Sequence, residues 1–223
     1  MVRRAAPTPR RPRAAPARPR RTRLDLDVRR AQLLAMGRRE FAARAYDDVS
    51  IDAIARAAGI SKGLLYHYYP TKRDLYVAGL RETAAELVAS VTAAAATGTP
   101  IERVRAGLDA FLDHVSGQAT PYVALMRGGV GSDPEIAAVI NATRADLIAH
   151  MVQRVDTTPL AGAATAPLFR IALHGWFGMV EAASLDYCAN RDCDRAAVRE
   201  LLVRGLEAML AGLAPVLRSK AAR

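Results

Sequence analysis

Apolar residues along this chain recur at helical spacing, and each run is punctuated by residues that cap or stop helices. Val28, Ala31, Leu34, Ala35 and Ala42, with Phe41 beside them, mark an amphipathic helix over 24–45. Ile51, Ile54, Ala55 and Ala58 fall at i, i+3, i+4 and i+7 on a second helix, which Ser50 can cap and Gly59 can end. Ile60 is apolar in the turn and plugs the angle to a short third helix, Lys62 to about Tyr69, capped by Ser61 and stopped by Pro70. Thr71, with Asp74 three residues on, opens a long helix through Leu75, Ala78, Leu87 and Val91 towards Ala96. A further helix over 101–115 shows Val104, Leu108, Phe111, Leu112 and Val115 on one face, and a short one follows from Tyr122 to Met126. Ser132 and Glu135 are spaced as a capping box before a stripe of Ile136, Val139, Ile140, Thr143, Leu147, Ile148, Met151 and Val155. Beyond a linker over 156–165, two last helices span 166–189 and 194–213. Their broad apolar faces are Leu168, Ile171, Leu173, Phe177, Val180 and Leu185, then Val198, Leu201, Leu202, Leu206, Met209 and Leu213. No Val/Ile/Thr-rich alternating run occurs, so the predicted fold is all-α.

Two short helices joined by a glycine-bearing turn, Ser50 to Tyr69, describe a helix-turn-helix whose second helix enters the DNA major groove. The side chains there suit the task. Lys62 can meet phosphate or guanine, Gly63 lets backbone approach, and Leu64 can touch a thymine methyl. Tyr66, His67 and Tyr68 offer hydroxyl, ring and N–H contacts, while Leu65 and Tyr69, four apart, face inward. Ser50 and Ser61 at the helix starts and Lys72 at the start of the fourth helix complete the candidate DNA-binding set. An ordinary helical hairpin is the alternative, but no helix buries four consecutive side chains such as Tyr66 to Tyr69.

Phe41-Ala42 before Tyr46, then Ser50-Ile51, Ile54-Ala55, Ala58-Gly59-Ile60-Ser61, Gly63, Leu65-Tyr66, Lys72 and Leu75, resemble the signature of TetR-family transcriptional regulators. Two positions depart from it. Ala45 stands where the family has glycine, leaving the first helix without a left-handed cap, and Tyr69 replaces phenylalanine, adding a hydroxyl that needs a partner. The resemblance implies that Lys72 contacts phosphate, that the helix from Thr71 carries a signal, and that the last two helices pair two subunits as a four-helix bundle. It also implies a homodimer on a palindromic double-stranded DNA operator, with repression as the usual role.

The net charge of +10 changes this picture only once it is located. Residues 1–23 hold nine arginines and no acid, among many prolines and alanines without helical period, so an Arg/Pro/Ala-rich disordered arm is expected there. Such an arm can neutralise phosphates or reach a minor groove, or be a solvated extension. It yields an alternative function, a non-sensing architectural DNA-binding protein. Residues 24–75 form the DNA-binding domain and 76–223 a helical effector-binding and dimerisation domain. No 18-residue apolar span occurs, so a soluble, cytoplasmic protein without membrane contact is expected. Cys188 and Cys193 have no histidine beside them and read as free thiols rather than a metal site.

The second domain carries no HExxH, GxSxG or paired carboxylates, and Gly128, Gly129 and Gly131 make a turn rather than a phosphate loop. It reads as a sensor without enzyme activity or cofactor. A sensor needs a mostly apolar cavity for a small effector. Candidate walls are Phe111, His114, Tyr122, Met126, Arg127, Met151, His174, Trp176, Phe177, Met179 and Glu181. Trp176 and Glu181 are favoured, because a buried carboxylate needs a reason.

Overall fold

The computed structural model describes residues 23–119, 122, 126, 133–153 and 167–221. The arm over 1–22, the interior of the short helix expected after Tyr122, Arg127 and the glycines to Ser132, and the linker over 156–165 lie outside the described residues. Eight α-helices are described: α1 (Arg23–Ala43), α2 (Ile51–Ala57), α3 (Lys62–Tyr68), α4 (Lys72–Ala94), α5 (Pro100–Gly117), α6 (Pro134–Gln153), α7 (Pro167–Asn190) and α8 (Arg195–Ala221). A 3-10 turn (Tyr46–Asp48) joins α1 to α2, and no strand occurs among the described residues.

Local chemistry sets the breaks. Ser50 Oγ accepts the Ala53 amide at 3.3 Å and Ser61 Oγ that of Leu64 at 3.2 Å, so each short helix starts on its serine. Thr71 and Asp74 close a full capping box at the head of α4. Between α2 and α3, Gly59 takes φ 65°, its amide bonding the Arg56 carbonyl while the Ile60 amide bonds that of Ala55. This is the paired bond pattern that ends a helix on a left-handed residue. Ala45, lacking that freedom, sits at φ −61° and ψ 150°, and the chain leaves α1 in extended backbone. The Tyr69 hydroxyl finds its partner in the Arg30 carbonyl, 3.2 Å away.

Two expected boundaries move. Ser132 lies outside the described residues, and the Asp133 carboxylate receives the Glu135 and Ile136 amides at 2.9 and 3.4 Å to start α6. Helix α8 runs past Leu213 to Ala221 with Pro215 inside it. Proline there costs one bond to the Ala211 carbonyl, and Ala211 lies in solvent, where water can replace it.

Packing divides into two cores. Leu33, Phe41, Val49, Ile51, Ile54, Leu65, Tyr69 and Leu75 make one; Leu108, Leu147, Ile148, Phe169, Leu173, Trp176, Phe177, Val180, Leu202, Val203 and Leu206 are among those that make the other. Helix α4 belongs to both: Leu75 is sealed in the first, and Val88 and Val91 pack on the second. At 1.5 Å per residue it is a beam about 35 Å long. It crosses α1 closely, since a Cβ at Gly37 would lie 3.0 Å from the Leu75 side chain and one at Gly79 3.0 Å from Arg38 Cγ.

Candidate nucleic-acid interface and effector cavity

Helix α3 is held by Leu65 and Tyr69, 0% and 2% exposed, and this fixes which residues look outward. Lys62, Gly63 and His67 are exposed, and nothing lies within 4 Å of a Cβ placed on Gly63. Leu64 and Tyr66 are half-buried at the edges of that face. Lys62 Nζ donates to Asp52 at 2.9 Å and lies 6.0 Å from the Tyr66 ring centre. An exposed pair of this kind is worth about 0–1 kcal/mol, so the ammonium is readily traded to another anion. Ser50 and Ser61 are exposed at the helix starts, their oxygens occupied as caps.

Two expected contacts lie differently. The Tyr68 hydroxyl oxygen is buried, with no hydrogen-bond partner among the described residues, so it is not presented outward. Tyr68 is three residues beyond Leu65, and that spacing turns its ring towards the core. Lys72 is half-buried: its Nζ donates to the Asp47 carbonyl at 3.0 Å and sits 4.7 Å over the Tyr46 ring. Tyr46 in turn packs with Phe41 and Tyr76, with ring centres 5.9 and 5.1 Å away.

Among the described residues, two neighbouring cavities lie in and against the second core. The larger, about 510 Å³, is walled by α1, α4, α5, α6 and α7 together with Tyr122 and Met126. Phe111, His114, Phe177 and Glu181 also line it. The smaller, about 420 Å³, takes in Met151 and Trp176 and shares Phe111 and Phe177 with the larger. Trp176 and Glu181, expected as a pair, therefore face different cavities. Each is also committed elsewhere: the Trp176 indole N–H donates to the Leu202 carbonyl at 2.9 Å, and Arg144 clasps Glu181 through two bonds of 2.8 Å. His174 lines neither cavity and is exposed. The inward stripe of α7 is Leu173, Trp176, Phe177 and Val180, and residue 174 falls opposite it. Met179 packs against Gly205 rather than a cavity.

Polar groups in the larger cavity are few. Burial pushes the His114 imidazole below its ordinary pKa, opposed by Glu86 and aided by Arg38. Because the folded-state value is depressed, His114 supports stability above the ordinary histidine range and loses that support as pH falls through it. Thermal midpoints at pH 7 and pH 5 are expected to fall further for the wild type than for His114→Gln, and equal falls would contradict this. The Tyr122 hydroxyl is buried without a partner among the described residues, and burial near Glu181 pushes its pKa well up.

Residues 33–78 match the family model of bacterial regulatory proteins, tetR family, and residues 100–209 match that of the tetracyclin repressor-like C-terminal domain. The chain is a member of the TetR family. It is accordingly a DNA-binding transcriptional regulator. It is 34% identical over 136 residues to the HTH-type transcriptional activator FasR of Mycolicibacterium smegmatis, covering 59% of this chain and 62% of that one. The HTH-type transcriptional repressor AcnR of Corynebacterium diphtheriae is 32% identical over 63 residues, covering 28% and 33% respectively. The chain thus spans less than two thirds of the length of these relatives. A TetR-family regulator from Streptomyces coelicolor shares the fold with a TM-score of 0.74 at 28% identity, covering 88% of this chain and 86% of that one.

In this TetR-family chain the cavity has walls that sequence reasoning missed: Arg38 and Phe41 of α1, Tyr76 and Thr83 of α4, and Thr143 and Arg144 of α6. Arg144 and Glu181 are 37 residues apart, and no local pattern announces such a pair. Among the described residues no three metal-binding side chains gather, and no helix is long and apolar enough to cross a membrane.

Proposed function

We propose that this regulator binds a palindromic operator as a homodimer and releases it when a small, largely apolar effector fills the cavity. One observation carries the reading: the helix that follows the outward-facing α3 is also a wall of the cavity. Tyr76, Leu80, Thr83 and Leu87 of α4 line the 510 Å³ space, while Lys72 at the head of the same helix lies beside the DNA-binding unit. Lys62, Gly63, Leu64, Tyr66 and His67 are the proposed base and backbone contacts, with Ser50, Ser61 and Lys72 on phosphate. Arg73 bridges Asp133 and Glu135 at 2.6 Å, and Arg81 joins Glu135 at 2.7 Å. These bridges add to the packing of α4 on α6, so a ligand that shifts α6 acts on α4. A coupling of ~1–3 kcal/mol is enough to weaken DNA binding severalfold to about a hundredfold.

Support for a dimer comes from α7 and α8. Ile171, Gly175, Gly178 and Ala182 form an exposed stripe at i, i+4, i+7 and i+11, and Leu201, Ala208 and Gly212 are exposed on α8. Small residues and 58% exposed Ile171 and Leu201 suit close packing against a second copy. The two relatives are named for opposite signs of control, and where the operator lies relative to a promoter decides the sign. The protein would work beside DNA in the cytoplasm, without catalysis.

Sequencing the genomic fragments retained by the purified protein tests the reading. An enriched inverted repeat, its half-sites one helical turn or a multiple apart, is the expected outcome. Retention without sequence preference and with steep salt dependence would favour the architectural alternative.

A further inference from the structure

The larger cavity is not confined to the C-terminal domain. Its rim includes Ala35, Arg38, Phe41 and Ala42, all on α1, which belongs to the DNA-binding unit. We propose that the effector site spans both domains, so that the bound molecule rests directly on α1, and that its occupant is a neutral, apolar molecule with one hydrogen-bonding group. This rests on the effector reading above and narrows it.

The neutrality follows from how the charges in the lining are spent. Arg38 is clasped by Glu82 and Glu86 across the rim, and Arg144 by Glu181 deeper in. The Thr143 hydroxyl donates to the Val139 carbonyl of its own helix. Arg39 stays in solvent at the mouth, its Nε on the Ala35 carbonyl. A charged group sent into the interior would lose its hydration and find each internal charge already paired. The Tyr122 hydroxyl is the exception: buried beside the cavity, it lacks a partner among the described residues. A ligand carbonyl or hydroxyl would satisfy it.

Contact with α1 matters because of what stands behind the rim. Phe41 and Tyr76 line the cavity and pack edge-to-face with ring centres 5.0 Å apart, and both touch Tyr46, whose face holds the Lys72 ammonium. Helices α1 and α4 meet at Gly37 and Gly79 so closely that a Cβ at either position would crowd the facing side chain. A molecule seated at the rim therefore acts on the crossing itself, one aromatic layer from Lys72.

Nile red, a neutral dye with a carbonyl acceptor, is the probe, titrated into the full-length protein and followed by its emission. The comparison set is Ala42→Trp and Ala35→Trp at the rim, Val104→Phe in the smaller cavity and Tyr122→Phe, each checked for an unchanged thermal midpoint. At least one folded rim variant is expected to bind the dye fivefold or more weakly, Tyr122→Phe about fivefold more weakly, and Val104→Phe within twofold of wild type. The anionic dye anilinonaphthalene sulfonate is expected to bind wild type at least tenfold more weakly than Nile red. Rim variants that bind like wild type while Val104→Phe loses the dye would leave the effector reading standing and overturn the two-domain site. Tighter binding of the anionic dye would overturn the neutral assignment, and a wild type that takes up neither dye would bring down both readings.

Discussion

Gly63→Glu is expected to lower affinity for the selected operator by about a hundredfold while leaving the fold at least as stable. Gly63 is the second residue of α3, exposed, with open space where a side chain would go. Replacing glycine in a helix removes a propensity penalty of about 1 kcal/mol, and an acid in the first turn is favoured by the helix dipole. The native state therefore tolerates the change. A groove lined with phosphates does not, because like charges forced together at an interface cost several kcal/mol, and ~3 kcal/mol corresponds to about a hundredfold in affinity. Electrophoretic shift of the operator fragment together with thermal unfolding separates the two effects. Undiminished binding by a folded Gly63→Glu protein would show that α3 is not the reading element. The test is sharper than removing Tyr66, which is half-buried against the DNA-binding core and whose loss would confuse recognition with packing.

Trp176→Ala should cost about 3–5 kcal/mol of stability, a large part of what a domain has in hand. The ring is 5% exposed in the second core, its indole N–H donates to the Leu202 carbonyl, and it packs edge-on to Phe177 with centres 5.3 Å apart. Deleting it opens a cavity between α7 and α8 and removes the bond that ties them. Urea unfolding followed by far-UV circular dichroism at fixed protein concentration measures the loss, since the variant has no tryptophan left to report. Trp176→Phe keeps most of the apolar volume and should lose about 1 kcal/mol more than packing alone would explain. A variant with near wild-type stability that loses only effector response would restore Trp176 as a ligand wall rather than a structural tie.

The residues that sequence reasoning placed well share a property: their environment is local. Ser50, Ser61 and Thr71 cap because the amides they serve are three residues away, and Gly59 ends α2 because its own φ must be positive. Leu65 and Tyr69 had to be inside because helical period leaves one face for the core. Misplaced or missing residues depend on something distant. Glu181 looked like a carboxylate awaiting a ligand until Arg144, on another helix, was found holding it. Lys72 is expected on phosphate, and what the sequence does not announce is that the Asp47 carbonyl and the Tyr46 ring, 25 and 26 residues back, lie against its ammonium. His174 looked like a cavity residue because composition alone does not give the face of α7 that meets α5 and α8.

Short-range interactions thus determined the helices and most of their caps from the sequence alone, since periodicity and capping act within one or two turns. That α1 joins the C-terminal helices in walling the cavity, which charges are already paired, and which aromatic rings stand between the cavity and Lys72 were decided only by the tertiary packing of α1, α4, α6 and α7. Those contacts join residues tens of positions apart, and no spacing within the chain encodes the crossing of two helices.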